Sequence, residues 1–148
     1  MFKALLRTDS DAAVLVLRLF LAVVFFPHGA QKVLGWWGGH GLEATITAFT
    51  TKMHIPLPFA ILAIIAEFLG PIGLFFGFLT RIAAFGVGFT MLVAALMVHL
   101  KFGFFMNWFG QKAGEGFEYH LLIIAIALAL VIKGGGLWSI DRAITKKV

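Results

Sequence analysis

The chain has 148 residues, of which 61% are hydrophobic and only 13% are charged, and its mean hydropathy is +0.99. Soluble domains carry about 25% charged residues, so this composition excludes most soluble folds and indicates a chain surrounded by lipid. Cysteine is absent, which excludes disulfides and cysteine-ligated metal within the chain, and the +5 net charge comes from scattered Lys and Arg residues, so no nucleic acid partner is expected.

The first apolar segment covers residues 12–34, and its core, residues 12–26, is interrupted by one charged residue, Arg18. Ser10 or Asp11 is placed to cap a helix there. At ~1.5 Å per residue this helix is about 33 Å long, enough to cross a hydrocarbon core of ~30 Å. Because the apolar run starts late, behind two aspartates, it is interpreted as a retained helix rather than a cleaved signal peptide.

The next element, residues 42–53, is a short amphipathic helix. Its apolar residues recur at helical spacing, which suits a helix lying along the lipid headgroups; they are Leu42, Ile46, Phe49 and Met53. Three further crossings follow, at about residues 58–79, 82–100 and 117–133. The sequence therefore predicts an all-α membrane protein with one domain over residues 1–148, a four-helix transmembrane bundle with an interfacial helix between helices one and two.

Four crossings put both termini on one side of the membrane, so the cations can be counted by side. Seven lie on the terminal side: Lys3, Arg7, Arg81, Lys133, Arg142, Lys146 and Lys147. Four lie on the other: Lys32, Lys52, Lys101 and Lys112. Since cytoplasmic loops carry an excess of Lys and Arg, the termini are predicted to be cytoplasmic.

Two ionisable residues lie deep in the predicted crossings, Arg18 in helix one and Glu67 in helix two. Each costs roughly 2.5–3.5 kcal/mol at the membrane centre, which calls for a partner or a purpose. Counted from the helix ends, their depths differ by about 7 Å, so a buried Arg18–Glu67 ion pair is predicted. Whether it fixes helix register or takes part in ligand binding stays open.

Prolines interrupt the same two helices. Pro71 lacks the N–H that would bond the carbonyl of Glu67, and Pro27 lacks the N–H that would bond the carbonyl of Val23. Backbone irregularity at this depth is typical of a cavity wall. The competing interpretation is a kink that lets helices approach closely, supported by three glycines at GxxxG-like spacing, Gly70, Gly73 and Gly77. The glycine-lined faces of helices two and three are candidates for a dimer interface.

Several polar residues are predicted to converge at the outer end of the bundle, in an outward-facing ligand pocket. They are His28, Lys32, Glu67, His99, Glu118 and His120. A quinone is the favoured ligand, because it needs an apolar cleft reached from lipid and a donor for each carbonyl. A haem between two histidines or a divalent metal fits less well. No residue is assigned a catalytic or metal-ligating role.

The order of these residues resembles the DoxX family of small bacterial membrane proteins over nearly the whole chain. The similar features are Arg18, His28-Gly29 with Lys32, Glu67, the turn Gly77–Arg81, and the last segment from Gly135 to Ser139-Ile140-Asp141. The resemblance implies a multi-pass protein of the bacterial inner membrane, related to the membrane subunit of thiosulfate:quinone oxidoreductase. It places the family's polar positions on Arg18, His28, Lys32, Glu67 and Arg81, with no catalytic role attached.

Two functions follow as hypotheses. The first is a membrane subunit of a quinone-dependent oxidoreductase, which would receive electrons from a redox partner protein because the sequence has no nucleotide-binding glycine loop. The alternative is a non-enzymatic membrane scaffold or small-solute permease, which would need to form a homodimer because a single four-helix chain is small for a transporter. Under both hypotheses the protein contacts the lipid bilayer.

Overall fold

The computed structural model describes residues 5–146, and every regular element in that range is helical, as the sequence predicted. Lys3 and Lys147, which entered the cation count, lie outside it. The helices are α1 (Ala12–Leu34), α2 (Gly41–Thr47, continued by a π-helical turn Ala48–Lys52), α3 (Leu57–Phe76), α4 (Thr80–Ala94), α5 (Glu118–Lys133) and α6 (Ile140–Lys146). α4 continues through a π-helical turn, Ala95–His99, and a 3₁₀ turn, Leu100–Phe102.

Within residues 5–146, three helices are long and apolar enough to cross a membrane: α1, α3, and the continuous helix Thr80–Phe102. α5 is shorter, with 16 residues and a length of about 24 Å. The outer surface of all four carries large apolar side chains, as expected of helices in lipid; Phe20, Phe59, Phe85 and Leu122 are each more than 60% exposed.

The four long helices pack in the order α1, α3, α4, α5, and α5 returns to contact α1. The bundle has two ends. At the terminal end α1 and α4 begin, and α3 and α5 finish; at the loop end α1 finishes, α3 and α5 begin, and α2 packs against α1 and α3. Fully buried apolar side chains fill the space between the helices; they include Leu21, Phe25, Leu74, Val87 and Leu130.

Local sequence explains where the helices start and stop. The Oδ1 of Asp11 accepts hydrogen bonds from the backbone N–H of Ala13 at 2.9 Å and of Val14 at 3.3 Å, which caps α1 as predicted. α3 finishes at Phe76, three residues before the predicted boundary, because Gly77 adopts a left-handed conformation with φ 66°. A Cβ at Gly77 would also lie 2.4 Å from the Cβ of Ser139.

The glycines of α3 and α4 bring helices of the same chain together. A Cβ added to Gly70 would lie 3.1 Å from the Cγ2 of Val87, and one added to Gly88 would lie 2.9 Å from the Cβ of Ala127. Gly70 therefore packs α3 on α4, and Gly88 packs α4 on α5. The glycine faces considered as a dimer interface are already occupied inside the chain.

α1 and α3 are in backbone contact at Gly29. A Cβ there would lie 2.1 Å from the carbonyl oxygen of Glu67 and 2.7 Å from the Cα of Phe68. Pro71 removes the N–H partner of that carbonyl. The freed carbonyl is thus covered by the backbone of α1, and this part of the break serves close packing rather than lining a cavity.

Substituting Gly29 with alanine should force α1 away from α3. Overpacking of this kind costs about 1–3 kcal/mol, and the contact with rigid backbone puts Gly29→Ala at the upper end of that range. Gly86→Ala is the matched control, because its Cβ would lie 3.1 Å from the Cβ of Ala66 and no closer than 3.8 Å to any backbone atom of a neighbouring helix. Thermal unfolding in mild detergent, followed by tryptophan fluorescence, should show a larger loss for Gly29→Ala; equal losses would contradict the close contact.

Candidate functional site

The polar residues inside the bundle form two clusters, one at each end. At the terminal end, the guanidinium of Arg18 is 1% exposed and donates four hydrogen bonds to backbone carbonyls. Two go to Leu74 and Phe75, both at 2.7 Å, and two to Leu137 and Trp138, both at 3.3 Å. The last carbonyls of a helix have no partner within it and carry partial negative charge, so Arg18 stabilises the end of α3 and ties it to the segment before α6.

The predicted Arg18–Glu67 ion pair is wrong. Glu67 lies beside Gly29, which is about 16 Å further along α1 than Arg18. The prediction placed both helices with their ends level, whereas α3 extends beyond α1 at the loop end. At the loop end, α3 starts ten residues away from Glu67, whereas α1 ends five residues away from Gly29. Because Glu67 and Gly29 are in contact, α3 reaches about 7 Å beyond the end of α1.

Two more charged residues hold helix ends at the terminal end. The carboxylate of Asp141 is 1% exposed and accepts hydrogen bonds from the backbone N–H of Leu79 at 2.8 Å and of Thr80 at 2.9 Å, which caps α4. Arg81 donates to the carbonyls of Val131 and Ile132, at the end of α5, and of Arg7. This cluster is engaged with backbone groups, so its role is to hold the helices together. Sequence reasoning had not selected Asp141 as a buried residue.

At the loop end, Lys32 and Glu67 form an ion pair. Their Nζ and Oε2 atoms are 2.5 Å apart, and the Glu67 side chain is 5% exposed against 28% for Lys32. The hydroxyl of Thr45 shares its one hydrogen between the carbonyl of Gly41 at 2.7 Å and that of Lys32 at 3.0 Å, and the second contact connects α2 to the last turn of α1. The carboxylate of Glu67 is therefore held in the bundle by a cation that reaches it from the helix end.

His99 and His120 lie against each other, with ring centroids 4.1 Å apart. His99 belongs to the π-helical turn of α4, a rare conformation that is frequent at functional sites. Its Nδ1 donates to the carbonyl of Glu115 at 2.8 Å. His120 is 5% exposed, and its Nδ1 has no hydrogen-bond partner among the residues that the structure describes.

His28 lies across from Tyr119, with ring centroids 6.5 Å apart. The Tyr119 hydroxyl is buried and has no hydrogen-bond partner in residues 5–146. Sequence reasoning missed this residue. Its signal was available, because Tyr119 is the one tyrosine of the chain and stands between Glu118 and His120.

Glu118 takes part in the folding of the connection before α5 rather than in this cluster. Its Oε1 accepts a hydrogen bond from the backbone N–H of Met106 at 2.7 Å. The six predicted pocket residues thus separate into the pair Lys32–Glu67, the pair His99–His120, His28 beside Tyr119, and Glu118 in the loop. In the described part of the chain, no three His, Asp or Glu side chains lie close enough to hold a metal ion.

A groove of about 310 Å³ lies elsewhere, between α1 and α3 where their two prolines face each other. Its lining is apolar and includes three phenylalanines; the residues are Ala22, Val23, Phe26, Pro27, Pro71, Ile72, Phe75 and Phe76. None of the six predicted pocket residues contributes to it. The groove and the loop-end cluster are separate features.

Comparison with known proteins identifies the family of the chain. Residues 13–100 match the DoxX family. The chain belongs to the DoxX family. This DoxX protein is 35% identical to "Inner membrane protein YqjF" of Escherichia coli strain K12 over 138 residues, which cover 93% of this chain and 95% of the relative.

Two further relatives of this DoxX protein are similar over most of their length. It is 34% identical over 122 residues to "Putative oxidoreductase CatD" of Bacillus subtilis strain 168, covering 81% of this chain and 79% of the relative. It is 29% identical to an uncharacterized protein of Haemophilus influenzae, covering 93% of this chain and 86% of the relative. No solved structure matches the chain at a significant level.

Proposed function

We propose that this DoxX protein is the membrane subunit of a quinone-linked redox system and binds a quinone, or a small ligand of similar chemistry, at the loop-end cluster. One observation carries the proposal: the Tyr119 hydroxyl and the His120 Nδ1 are buried without partners in the described chain. Buried polar atoms in proteins are nearly always hydrogen-bonded, and an unmade bond costs about 1–3 kcal/mol. A ligand that bonds them would recover this energy.

The residue types around these atoms suit a quinone. A quinone is a flat apolar ring with two carbonyl acceptors, and the Tyr119 hydroxyl and the Lys32 ammonium are donors. The ring of Phe25 lies 5.9 Å from that of His28 and supplies apolar contact. Reduction of a quinone to a quinol consumes two electrons and two protons. A redox partner protein supplies the electrons, and His28 and Glu67 are the groups at the cluster that exchange protons.

The topology that accompanies this function has four crossings, with α5 as the fourth. The lipid-side residues of this 16-residue helix are large and apolar; the exposed ones include Leu121, Leu122, Leu128 and Ile132. Four crossings, with seven cations against four, put both termini in the cytoplasm. The name of the Escherichia coli relative supports the inner membrane, and that of the Bacillus subtilis relative supports redox chemistry.

Quinone binding can be measured as a rise in unfolding temperature when ubiquinone or menaquinone analogues are added to the purified protein. Tyr119→Phe should weaken binding about tenfold, because one hydrogen bond is worth about 1–1.5 kcal/mol. Thr51→Val is the matched control, since it removes an exposed hydroxyl on α2. The proposal fails if protein purified from native membranes contains no quinone and added quinone does not raise the unfolding temperature of the unmodified protein or of Thr51→Val. That outcome would favour the alternative function, a membrane scaffold or small-solute permease.

A further inference from the structure

We infer that ligands reach the loop-end cluster sideways from the lipid, through an opening between α1 and α5 at His28 and Tyr119, here named the lateral opening. The inference rests on the proposed function and narrows it, because only a molecule dissolved in the bilayer core could use this route. It replaces the expected outward-facing entrance with one that faces the hydrocarbon.

On α1, the opening is indicated by the exposure of two residues on the same side of the helix. Leu21 and His28 are seven positions apart, so both project from the same side of the helix. Leu21 is 1% exposed, whereas His28 is exposed. The side of α1 that is covered at Leu21 is therefore uncovered two turns further toward the loop end.

α5 shows the same trend on the side that meets α1. Leu130 and Tyr119 are eleven positions apart, three helical turns, and share a face. Leu130 is 0% exposed, whereas Tyr119 is only half-buried. The two helices thus pack closely toward the terminal end and diverge toward the loop end, where the rings of His28 and Tyr119 face each other.

The divergence has a cause in α1. At Gly29 the helix backbone lies against the backbone of α3, closer than any residue with a Cβ would allow. Pro27, two residues earlier, removes one helical hydrogen bond and makes bending easy at that turn. Because α1 is drawn onto α3 at Gly29, the neighbouring residue on its other flank, His28, is left uncovered.

The opening lies at the depth of lipid rather than water. His28 is six residues, about 9 Å, from the end of a 23-residue crossing. The loop end beyond it is covered by α2, which contacts α1 and α3 and is attached through Thr45 to the carbonyl of Lys32. Ligands that enter at His28 meet Lys32 one turn further along α1, and Glu67 behind it.

Spin labelling tests the route, because the chain has no native cysteine and each variant carries one label. His28→Cys and Tyr119→Cys are labelled, returned to liposomes and exposed to oxygen, which concentrates in lipid, or to a water-soluble nickel chelate. Phe20→Cys, at a lipid-facing residue of α1 that is 68% exposed, is the lipid reference. Trp108→Cys, in the loop before α5 and 80% exposed, is the water reference.

Labels at 28 and 119 should respond to oxygen as the label at 20 does, and weakly to nickel. A nickel response like that at 108 would show an entrance from water and overturn the inference, and so would a label at 119 that responds to neither. Using two positions keeps the test informative if one variant does not fold. Quinone binding is measured separately on the cysteine-free protein, so failure of the proposed function is distinguishable from failure of the route.

Discussion

Replacement of Arg18 with methionine is expected to lower the free energy of unfolding by about 3–5 kcal/mol, the usual cost of removing one partner from a buried charged network. The substitution keeps an apolar stem but removes the guanidinium donor from the carbonyls of Leu74, Phe75, Leu137 and Trp138. The carbonyl of Leu74 keeps a second donor, the N–H of Gly77 at 3.1 Å. Four bonds at about 1.5–3 kcal/mol each would exceed this value. The total is smaller because methionine also removes the cost of burying the guanidinium.

Arg18→Lys is the matched control for this prediction. An ammonium keeps the charge but cannot present the planar fork that reaches two pairs of carbonyls, so the loss should be intermediate. Denaturation in detergent with increasing sodium dodecyl sulfate measures both variants against the unmodified protein. An Arg18→Met protein as stable as the unmodified one would contradict the assignment of Arg18 to the helix ends.

Lys32→Met is expected to have the second largest effect, a loss of about 2–3 kcal/mol, because it leaves the carboxylate of Glu67 buried without a cation. This is below the ~3–5 kcal/mol of a fully buried pair because the Lys32 side chain is 28% exposed and water screens it in part. The double variant Lys32→Met/Glu67→Gln removes both charges. It should recover most of the lost stability, as measured by the same denaturation.

The double variant also identifies the true partner of Glu67. If Lys32 pairs with Glu67, adding Glu67→Gln restores stability to Lys32→Met but does not reduce the stability loss of Arg18→Met. If Arg18 were the partner of Glu67, adding Glu67→Gln would restore stability to Arg18→Met and not to Lys32→Met. Equal coupling to both cations would contradict the separation of the two polar clusters.

The crossing segments could be predicted because each depends on local information. Apolar runs, the N-cap at Asp11 and the left-handed Gly35 lie within or beside the helix that they define. The third crossing was predicted to residue 100 and continues to Phe102. The π geometry of the turn Ala95–His99 was not predicted, since the hydrophobic pattern is the same in α and π geometry.

The contacts between helices could not be predicted from such patterns. The height of α3 against α1 is set by one missing side chain, Gly29, and a shift of a few residues there moves Glu67 from Arg18 to Lys32. The resemblance named the Gly77–Arg81 turn and the Ser139–Asp141 segment separately. That they touch, through the N–H of Asp141 and the carbonyl of Gly77 at 3.0 Å, depends on the fold.

The candidate site was predicted in its residue types and only partly in its arrangement. Polar residues near the loop end were found because ionisable groups are rare in apolar segments, and this singled out His28, Lys32 and Glu67. Tyr119 escaped notice since tyrosine is ordinary near a membrane surface. Its importance lies in a buried hydroxyl without a partner in the described chain, which only coordinates can reveal.

The hydrogen-bond partners of Arg18 are synthesised at different times. Leu137 lies 119 residues after Arg18, and at about 5–20 residues per second the ribosome needs roughly 6–24 s to reach it. During that interval the guanidinium is already in the first crossing, and α4 emerges without the carboxylate that will cap it. The bundle is completed only when the segment from Leu137 to Asp141 arrives, so a chain interrupted after α5 would lack two of the four carbonyls that bind Arg18 and the carboxylate that caps α4.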